Sequence, residues 1–539
     1  MEKPFDPITL SILWARLISI VDEAGTTLQR TSFSTVTRES NDFAVVLMDA
    51  RGRSLAQSSI SVPSFLGVLP MLTKALLAHY FAPDTWQEGD VVMTNDPWLC
   101  AGHKPDIGLV SPIFLDGKLI GFIGTIAHSP DMGGALWGAG ARDLYEEGLM
   151  VPPTKLISAG QRNETLFRII EANVRAARQT LGDIQAQIAA NDQGILSLTN
   201  LMRENGLTDL DTLGEQVIMA SEKAMREAIG KAPDGTYRYD YQADGDGLDN
   251  PVTLRAAVTI SGTDIAVDWA GSSGAHPLAI NAVMNYTYAY TAYPIKCVFS
   301  PDVPNNEGAF RPITVTAPKG SLLNAQKPVP LGGRNITGNI LHASVFGALA
   351  QAVPQQVQAD CGSACWCVVL NGQHDDGSEY VEYFFLNGGY GARPNADGPH
   401  TLSFPTNVAN VPIEVLENSV PIRVTAKRLA NDSAGNGQFR GGLGQVFSFK
   451  NVGKNPINLS LLTEKTRTMS RGIMGGTDSA RGKLTIDPDR FLAPKGLDKL
   501  HPGEEITLTL PGGGGYGDPF DRSNDLIESD LELGYITNA

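Results

Sequence analysis

The sequence predicts an α+β protein of several packing units, with β-rich N- and C-terminal regions and a helical middle. Its 539 residues are 42% hydrophobic and 19% charged, which is typical of a globular protein that buries several cores. Helical periodicity is concentrated over residues 161–231, whereas short strand-like runs separated by turn residues fill both flanks. The 57 Gly and 33 Pro residues indicate many turns and loops.

The first region, residues 1–160, is predicted to combine helices and strands. Apolar residues recur at helical spacing over residues 7–30, and this periodicity predicts a helix that packs on a core. The Asp116-Gly117 pair separates the apolar runs IGLVSPIFL and KLIGFIGTIA, which is a strong signal for a β-hairpin. The other elements expected in this region are a strand over residues 43–48, a helix over residues 63–81 and a strand over residues 90–93.

Three further regions are expected after the first. Residues 161–231 are predicted to form a helical segment, because their apolar residues fall on one face of a helix. Residues 232–360 are predicted to be mixed α/β, with helices over residues 282–299 and 338–352. Residues 361–539 are predicted to be β-rich and Gly-rich, and their PGGGGYGDP segment is interpreted as a structural turn where chain segments cross.

Charge and cysteine content narrow the classes of function. The 42 basic and 58 acidic residues give a net charge of −16, which repels phosphate backbones and acidic lipids, so neither nucleic acid nor a membrane is expected as a partner. The N-terminus shows no signal-peptide pattern, and a cytoplasmic location is predicted. Three of the five Cys residues lie in CGSACWC and are interpreted as reduced structural thiols, since no zinc-finger spacing is present.

The mouth of the predicted hairpin gathers potential metal ligands. Regular pairing from the two-residue turn places Asp106 opposite Ala127, and His128 one residue farther, opposite Pro105. His103 precedes this strand by a few residues. Backbone pairing alone therefore brings two imidazoles and one carboxylate close together, a donor set that suits Zn²⁺, Mn²⁺ or Fe²⁺.

Other carboxylates nearby have two interpretations each. The strand entry RESNDF offers both Glu39 and Asp42 as a further ligand, and the residues alone do not choose between them. Glu39 could instead pair with Arg38, and Asp131 of HSPDMGG could be a turn residue. A single His is also commonly a hydrogen-bonded structural residue. The Glu146-Glu147 pair is interpreted as a solvated helical turn.

Collinear motifs along the whole chain resemble one family. They include RESNDF, NDPWLCAGHKPD, AHSPDMGG, YEEGLMVPPTKL, GDIQAQIAAN, TNVANVPIEVLE, NDSAGNGQFRGGLG and PGGGGYGDP. With these motifs the chain resembles the hydantoinase B/oxoprolinase family, the B-type subunits of ATP-dependent hydantoinases, lactamases and oxoprolinases. Subunits of acetone and acetophenone carboxylases are related to this family.

The resemblance implies a metal site with four ligands. Carried over motif by motif, the ligands are Asp42 of RESNDF, His103 and Asp106 of HKPD, and His128 of AHSPD. The implied metal is one divalent ion, with Zn²⁺ preferred over Mn²⁺ or Fe²⁺. The family often has a second His directly after the last ligand, whereas this chain has Ser129 there, which leaves the general base unassigned. Candidate catalytic carboxylates are Glu39 and Asp131.

The resemblance also implies a partner subunit and a reaction. An A-type subunit with an actin-like ATPase fold would use ATP and Mg²⁺ to phosphorylate the carbonyl oxygen of a cyclic amide such as a hydantoin, 5-oxoproline or a lactam. This chain would open the activated ring at its metal, within a hetero-oligomer containing two copies of each subunit. The chain has no GxxxxGK[ST] loop and no GxSxG elbow, in agreement with a nucleotide site on the partner.

Two alternatives to cyclic amide hydrolysis stay open. One is a subunit of an ATP-dependent ketone carboxylase, and the other is a non-catalytic subunit whose metal organises loops. The sequence does not identify the substrate. Trp98, Trp137 and Tyr145 lie near the metal motifs and could line a pocket or belong to the core.

Overall fold

The computed structural model describes residues 4–538, so residues 1–3 and 539 lie outside the described part. The expectation about a signal peptide concerns a stretch that begins among those undescribed residues. Within the described range the chain folds into four β-sheets connected by helices. The predicted α+β class, with β-rich terminal regions and a helical segment between them, is confirmed.

The N-terminal sheet has seven antiparallel strands and carries two of the predicted metal ligands, Asp106 and His128. In chain order the strands are β1 (Phe43–Asp49), β2 (Ser54–Gln57), β3 (Val91–Thr94), β4 (Asp106–Leu115), β5 (Lys118–His128), β6 (Thr154–Ser158) and β7 (Gln161–Arg162). Their spatial order is β2-β1-β5-β4-β3-β6-β7. Strands β4 and β5 therefore lie at the centre of the sheet, where almost every residue is buried.

The predicted hairpin is confirmed, but its register differs by one residue. Asp116 and Gly117 have φ angles of 50° and 79°, as a two-residue hairpin turn requires. A β-bulge between Ile113 and Phe114 adds one residue to β5 beyond the turn. As a result Asp106 pairs with His128 itself, and the expected pairing of Asp106 with Ala127 is wrong.

Six helices cover the two faces of this sheet. They are α1 (Pro7–Thr31), α2 (Thr35–Arg38), α3 (Val68–His79), α4 (Glu164–Asn173), α5 (Ala177–Glu204) and α6 (Asp211–Ile229). Asp6 caps α1 by accepting hydrogen bonds from the backbone N–H groups of Ile8 and Thr9. The apolar face of α1 packs with α5 on one side of the sheet, as its periodicity predicts. Within residues 4–538, no helix is long and apolar enough to cross a membrane.

A second sheet and four helices form the next part of the chain. The strands are β8 (Gly235–Ala243), β9 (Val252–Ser261), β10 (Asp264–Asp268) and β11 (Ile313–Thr316), in the order β11-β10-β9-β8. The helices are α7 (Met284–Phe299), α8 (Glu307–Phe310), α9 (Arg334–Gly338) and α10 (Leu341–Leu349). Helix α10 packs on α7 and on β8 and β9, and this core is continuous with one face of the N-terminal sheet.

The C-terminal part contains two four-stranded sheets that share a core. In chain order the strands are β12 (Trp366–Gln373), β13 (Glu379–Leu386), β14 (Ile422–Leu429), β15 (Gln445–Asn451), β16 (Ile457–Leu462), β17 (Lys483–Asp487), β18 (Lys495–Leu500) and β19 (Glu505–Thr509). One sheet has the order β13-β12-β16-β18 and the other β14-β15-β19-β17. The accompanying helices are α11 (Ile413–Ser419) and α12 (Asn524–Glu532), and short 3-10 turns lie at Pro63–Phe65, Pro83–Thr85, Leu144–Glu147, Pro354–Gln356 and Pro519–Asp521.

The PGGGGYGDP segment packs backbone against backbone. The N–H of Gly513 donates to the carbonyl of Gly442, and the N–H of Gly514 donates to the carbonyl of Asp360. A Cβ atom added at Gly513 would lie only 2.0 Å from the carbonyl oxygen of Tyr390. These contacts agree with the interpretation as a structural crossing of chain segments. The boundaries expected at residues 160, 231 and 360 stay predictions.

Candidate metal centre

Two imidazoles and one carboxylate converge where β4 begins and β5 ends. Asp106 is the first residue of β4 and pairs with His128, the last residue of β5, while His103 lies in the turn before β4. One nitrogen of each His and one oxygen of Asp106 all lie within 4.8 Å of one another. All three side chains are buried. The convergence predicted from the hairpin is therefore present, and the bulge makes it tighter than regular pairing would.

The backbone fixes the orientation of His103. Its Nδ1–H donates to the carbonyl of Gly332 at 3.0 Å, which leaves Nε2 with a lone pair. That Nε2 lies 3.1 Å from Oδ1 of Asp106, yet neither atom has a partner in hydrogen-bonding geometry. Burial, and next the Arg334 guanidinium, lower the pKa of His103, so its imidazole is neutral, as a metal ligand must be.

His128 is oriented by two oxygen atoms. Its Nδ1 lies 2.9 Å from the carbonyl of Ser129 and 2.6 Å from the hydroxyl of Tyr383 on β13. Its Nε2 is buried without a hydrogen-bond partner. Burial, and next the neighbouring His103, hold the pKa of His128 well below its usual range. Like His103, this ring presents an unprotonated nitrogen to the cluster.

Asp106 is kept anionic by a buried arginine. Burial alone would raise the pKa of Asp106, but the Arg334 guanidinium, followed by the two imidazoles, lowers it to about 2. Arg334 forms an ion pair with Oδ2 of Asp106 and donates from Nε to the carbonyl of Ala101. The second oxygen of Asp106, Oδ1, remains without a hydrogen-bond partner and faces the cluster.

Asp42 lies beside this cluster rather than inside it. Its backbone carbonyl accepts a hydrogen bond from the N–H of His128 at 3.1 Å, because it directly precedes β1. Its side chain lines the same small cavity as His128 but does not belong to the group within 4.8 Å. Burial, and next the charge of Asp106, raise the pKa of Asp42 to about 8. Its place as the fourth ligand stays a prediction.

Aromatic side chains enclose the cluster. The Trp137 ring centroid lies 4.8 Å from that of His128, and the Tyr383 ring centroid lies 5.0 Å from it. Of the other two aromatic residues considered from the sequence, Trp98 donates to the carbonyl of Ala325, and Tyr145 is 77% exposed. Only Trp137 of these three lines the cavity beside His128.

The two carboxylates considered for catalysis are held in ion pairs. Glu39 lies 2.9 Å from Arg38, and Asp131 lies 2.6 Å from Arg175. Asp131 also accepts from the backbone N–H of Arg175. The structure does not gather either carboxylate into the group formed by the two imidazoles and Asp106. A catalytic role for Glu39 or Asp131 stays a prediction.

Sequence reasoning missed three residues that support the cluster. Arg334 and Tyr383 lie 228 and 255 positions from the side chains they contact, and no local pattern joins them. The sequence did contain one signal for Arg334. It is the only Asp, Glu, Lys or Arg between Lys327 and Asp360, and a lone charged residue in such a stretch is typical of a buried charge that pairs with a specific partner.

The third missed residue is Glu147, for which the expectation of a solvated turn was wrong. Glu147 is buried and accepts hydrogen bonds from the N–H groups of Leu331 and Gly332 at 2.5 and 2.6 Å. Burial raises the pKa of Glu147 to about 7. Its carboxyl group therefore positions the segment whose Gly332 carbonyl orients His103.

The chemistry of these side chains fits a divalent ion. Three buried atoms, Nε2 of His103, Oδ1 of Asp106 and Nε2 of His128, lack hydrogen-bond partners and face one another. Unpartnered buried polar atoms are costly and rare, so three in one place require an explanation. Two imidazoles and one carboxylate form a donor set common to Zn²⁺ and to non-haem Fe²⁺ sites.

The chain is similar to known proteins in both sequence and fold. The sequence model of the family described as Hydantoinase B/oxoprolinase matches residues 6–519. The chain is 33% identical to the B-type subunit of a putative D-/L-hydantoinase from Pseudomonas sp., over 99% of this chain and 94% of that protein. The crystal structure of the ATP-dependent caprolactamase from Pseudomonas jessenii has a TM-score of 0.92 and 27% identity, covering 99% of this chain and 95% of that one. A nucleotide-free acetone carboxylase structure shares the fold, with a TM-score of 0.88 and 18% identity over 98% of this chain and 78% of that one.

Proposed function

The chain belongs to the hydantoinase B/oxoprolinase family, and we propose that it is the metal-bearing B-type subunit of an ATP-dependent cyclic amide hydrolase. The substrate class is a hydantoin, 5-oxoproline or lactam whose carbonyl oxygen has been phosphorylated by an A-type partner. The ligands of the metal are His103, Asp106 and His128, with Asp42 as the fourth.

The convergence of three unpartnered ligand atoms in a buried place carries this proposal. Each ligand is also held by a second contact on its far side: Gly332 for His103, Arg334 for Asp106, and Ser129 with Tyr383 for His128. Such outer contacts are typical of metal sites, because they fix the ring tautomer and the direction of the lone pair.

The residues around the cluster suit an acyl-transfer reaction. A divalent ion bound there supplies Lewis acidity that polarises a carbonyl and lowers the pKa of water. Trp137 and Tyr383 enclose the two imidazoles and limit access of bulk water. Arg334 keeps Asp106 anionic, so this ligand holds its charge at neutral pH.

An unstrained amide is a poor electrophile, and its activation requires a separate ATP site. The chain carries no phosphate-binding loop motif, which supports the placement of ATP and Mg²⁺ on a partner. The names of the similar proteins support this division, since one is a hydantoinase subunit and another an ATP-dependent caprolactamase. We propose an actin-like ATPase fold for the partner and two copies of each subunit in the complex.

Metal content and turnover of the complex test this proposal together. We expect about one divalent ion per chain in the wild type, and ATP-dependent opening of at least one cyclic amide when the A-type partner is present. His103→Ala should lose both the ion and the activity. His79→Ala is the matched control, because His79 is exposed at the end of α3 and should keep both.

Three outcomes would contradict the proposal. Protein that binds no ion even after addition of Zn²⁺ or Mn²⁺ would exclude the metal site. Full turnover by a metal-free His103→Ala complex would make the subunit non-catalytic. Bicarbonate-dependent loss of a ketone, without opening of any cyclic amide, would instead assign the chain to a ketone carboxylase, whose fold it shares.

A further inference from the structure

Four arginine side chains line a groove of about 730 Å³ beside the start of α5. Arg30 lies in the last turn of α1, and Arg38 is the last residue of α2. Arg175 lies just before α5 and Arg178 lies in its first turn. The volume of this arginine groove falls within the range of sites that bind small molecules.

The charge of the arginine groove is opposite to that of the whole chain. Its lining contains four Arg but only two acidic residues, Glu379 and Glu382, whereas the chain carries a net charge of −16. Burial raises the pKa of Glu382 to about 7, so this carboxyl group is only partly ionised at neutral pH. A local excess of positive charge in a groove of an acidic protein favours the binding of an anion.

Two of the four guanidinium groups are free to bind a ligand. Within residues 4–538, Arg30 and Arg178 have no ion-pair partner, whereas the other two arginines each pair with one carboxylate outside the groove lining. Ala176 gives α5 no side-chain cap, and the first N–H groups of this 28-residue helix add partial positive charge at the same place. The groove therefore offers several hydrogen-bond donors and more positive than negative charge.

The elements that form the wall of the arginine groove also hold His128. Glu382 lines the groove, and Tyr383, the next residue on β13, contacts Nδ1 of His128. Thr180 on α5 directly follows a lining residue, and its hydroxyl lies 3.2 Å from that of Ser129, whose carbonyl also orients His128. The groove thus adjoins the proposed metal ligands through β13 and the start of α5.

A phosphoryl group is the anion that best fits these donors. Each guanidinium presents a planar fork of N–H groups that pairs with two oxygens of a phosphate, and four such forks exceed what the two oxygens of a carboxylate can accept. We propose that the arginine groove binds the phosphoryl group of a small molecule. The source is either the phosphate that the proposed reaction releases or a nucleotide. The binding itself does not depend on the proposed function.

Titration of the purified full chain tests this proposal. Isothermal titration calorimetry at low ionic strength compares inorganic phosphate with AMP, and pyrophosphate with ADP. We expect saturable binding at one groove site per chain that weakens as salt is added, because salt screens the attraction between guanidinium and phosphate. A nucleotide that binds at least tenfold more tightly than its nucleoside-free counterpart identifies a nucleotide as the source, and equal affinities identify free phosphate.

Variants assign the binding to the groove. Arg30→Gln and Arg178→Gln should each weaken phosphate binding by roughly fivefold or more, and the double variant should lose the saturable site. Both side chains are exposed, so thermal unfolding should match that of the wild type. Arg16→Gln is the matched control, because Arg16 is exposed on α1 and does not line the groove. Phosphate bound at the metal ligands would respond to none of these substitutions.

Two results would overturn the proposal. The first is the absence of saturable binding of all four compounds to the wild-type chain. The second is an affinity of the double variant equal to that of the wild type and of Arg16→Gln. Neither result bears on metal content or ring opening, which test the proposed function. Loss of ring opening with intact phosphate binding would conversely leave the arginine groove in place and exclude only the proposed function.

Discussion

The group proposed to bind a metal, the metal cluster formed by His103, Asp106 and His128, has a counterpart elsewhere in the protein, and the difference between the two shows what distinguishes a group that could hold an ion. Asp106 and Asp360 are both buried carboxylates, each with a nearby His and a buried basic side chain. Around Asp106 the basic residue is Arg334, and around Asp360 it is Lys465. Burial alone would raise the pKa of both carboxylates, but these cations lower both to about 2.

In both clusters the cation contacts Oδ2 of the carboxylate and leaves Oδ1 without a hydrogen-bond partner. Lys465 donates to Oδ2 of Asp360 at 2.7 Å and also to the carbonyl of Cys361. Tyr241 donates to the same oxygen at 2.9 Å. Arg334 likewise pairs with Oδ2 of Asp106, but Oδ1 of Asp106 faces two imidazoles, whereas Oδ1 of Asp360 faces only His342.

A second imidazole is therefore what distinguishes the two clusters. His342 lies 3.6 Å from Asp360 and has no second His beside it in the cluster. Within residues 4–538, only His103, Asp106 and His128 form a group of three or more potential ligands. A buried His–Asp pair with a cation is therefore not sufficient, and the hairpin pairing of Asp106 with His128 supplies the missing ligand.

Removal of the cation from each cluster gives the largest expected effect. Lys465→Met and Arg334→Met each leave a buried carboxylate unpaired, and each should lower the free energy of unfolding by about 3–5 kcal/mol. The two variants should then respond differently to Zn²⁺ in thermal unfolding of chelator-treated protein. Zn²⁺ should stabilise Arg334→Met less than it stabilises the wild type, because Arg334 holds Asp106 in the anionic form that a metal ligand requires.

Lys465→Met supplies the matched control for this difference. Its Zn²⁺-induced stabilisation should equal that of the wild type, since the ion binds at the other cluster. An equal reduction of the Zn²⁺ effect in both variants would show that the two clusters do not differ as described. If Zn²⁺ stabilised none of the three proteins, the proposal that His103, Asp106 and His128 bind a metal would be excluded.

Of the contacts in these two clusters, the sequence predicts only those made by pairing of neighbouring strands. Asp-Gly between two apolar runs predicts the hairpin, and the hairpin brings His103, Asp106 and His128 together. The one-residue error comes from the bulge, which depends on packing in the centre of the sheet rather than on the turn. The hairpin pattern could not choose between Glu39 and Asp42 as a further ligand. The family resemblance indicated Asp42, which lies beside the cluster.

Contacts between distant regions were not predictable in this way. Arg334 reaches Asp106 and Lys465 reaches Asp360 across 228 and 105 positions, and only the packing of separate regions determines such pairs. The same reason explains Glu147, whose sequence surroundings suggest solvent but whose partners are Leu331 and Gly332. Periodicity predicts elements and their buried faces, but it does not predict which faces meet.

Glu382 is a buried carboxylate without a cation in contact, and its pKa shows what burial does when no cation opposes it. Burial raises the pKa of Glu382 to about 7, although Thr35 donates a hydrogen bond that lowers it. Between its unfolded value and about 7 the folded protein binds the extra proton, so stability falls as pH rises through this window. From pH 5 to pH 7 the titration of Glu382 should by itself lower the free energy of unfolding by about 2 kcal/mol.

Glu382→Gln should abolish this part of the pH dependence. Glutamine cannot titrate, and its side-chain oxygen can still accept the hydrogen bond from Thr35. Unfolding of both proteins at pH 5 and pH 7 measures the effect as the difference between their two pH responses. Identical pH responses of the variant and the wild type would mean that Glu382 is ionised in the folded protein despite its burial.

The smallest effect concerns the tyrosine of each cluster. Tyr383 contacts Nδ1 of His128, whereas Tyr241 donates to Asp360. Tyr383→Phe removes an outer contact of a metal ligand, and such losses weaken metal binding by roughly 10-fold or more, equivalent to about 1.4 kcal/mol. Competition for Zn²⁺ with a chelating dye measures this change. Tyr241→Phe should leave Zn²⁺ affinity unchanged, because Tyr241 contacts Asp360 and none of the three residues of the metal cluster. If the two variants lost equal affinity, the hydroxyl of Tyr383 would have no specific role in orienting His128, and the carbonyl of Ser129 alone would hold the ring.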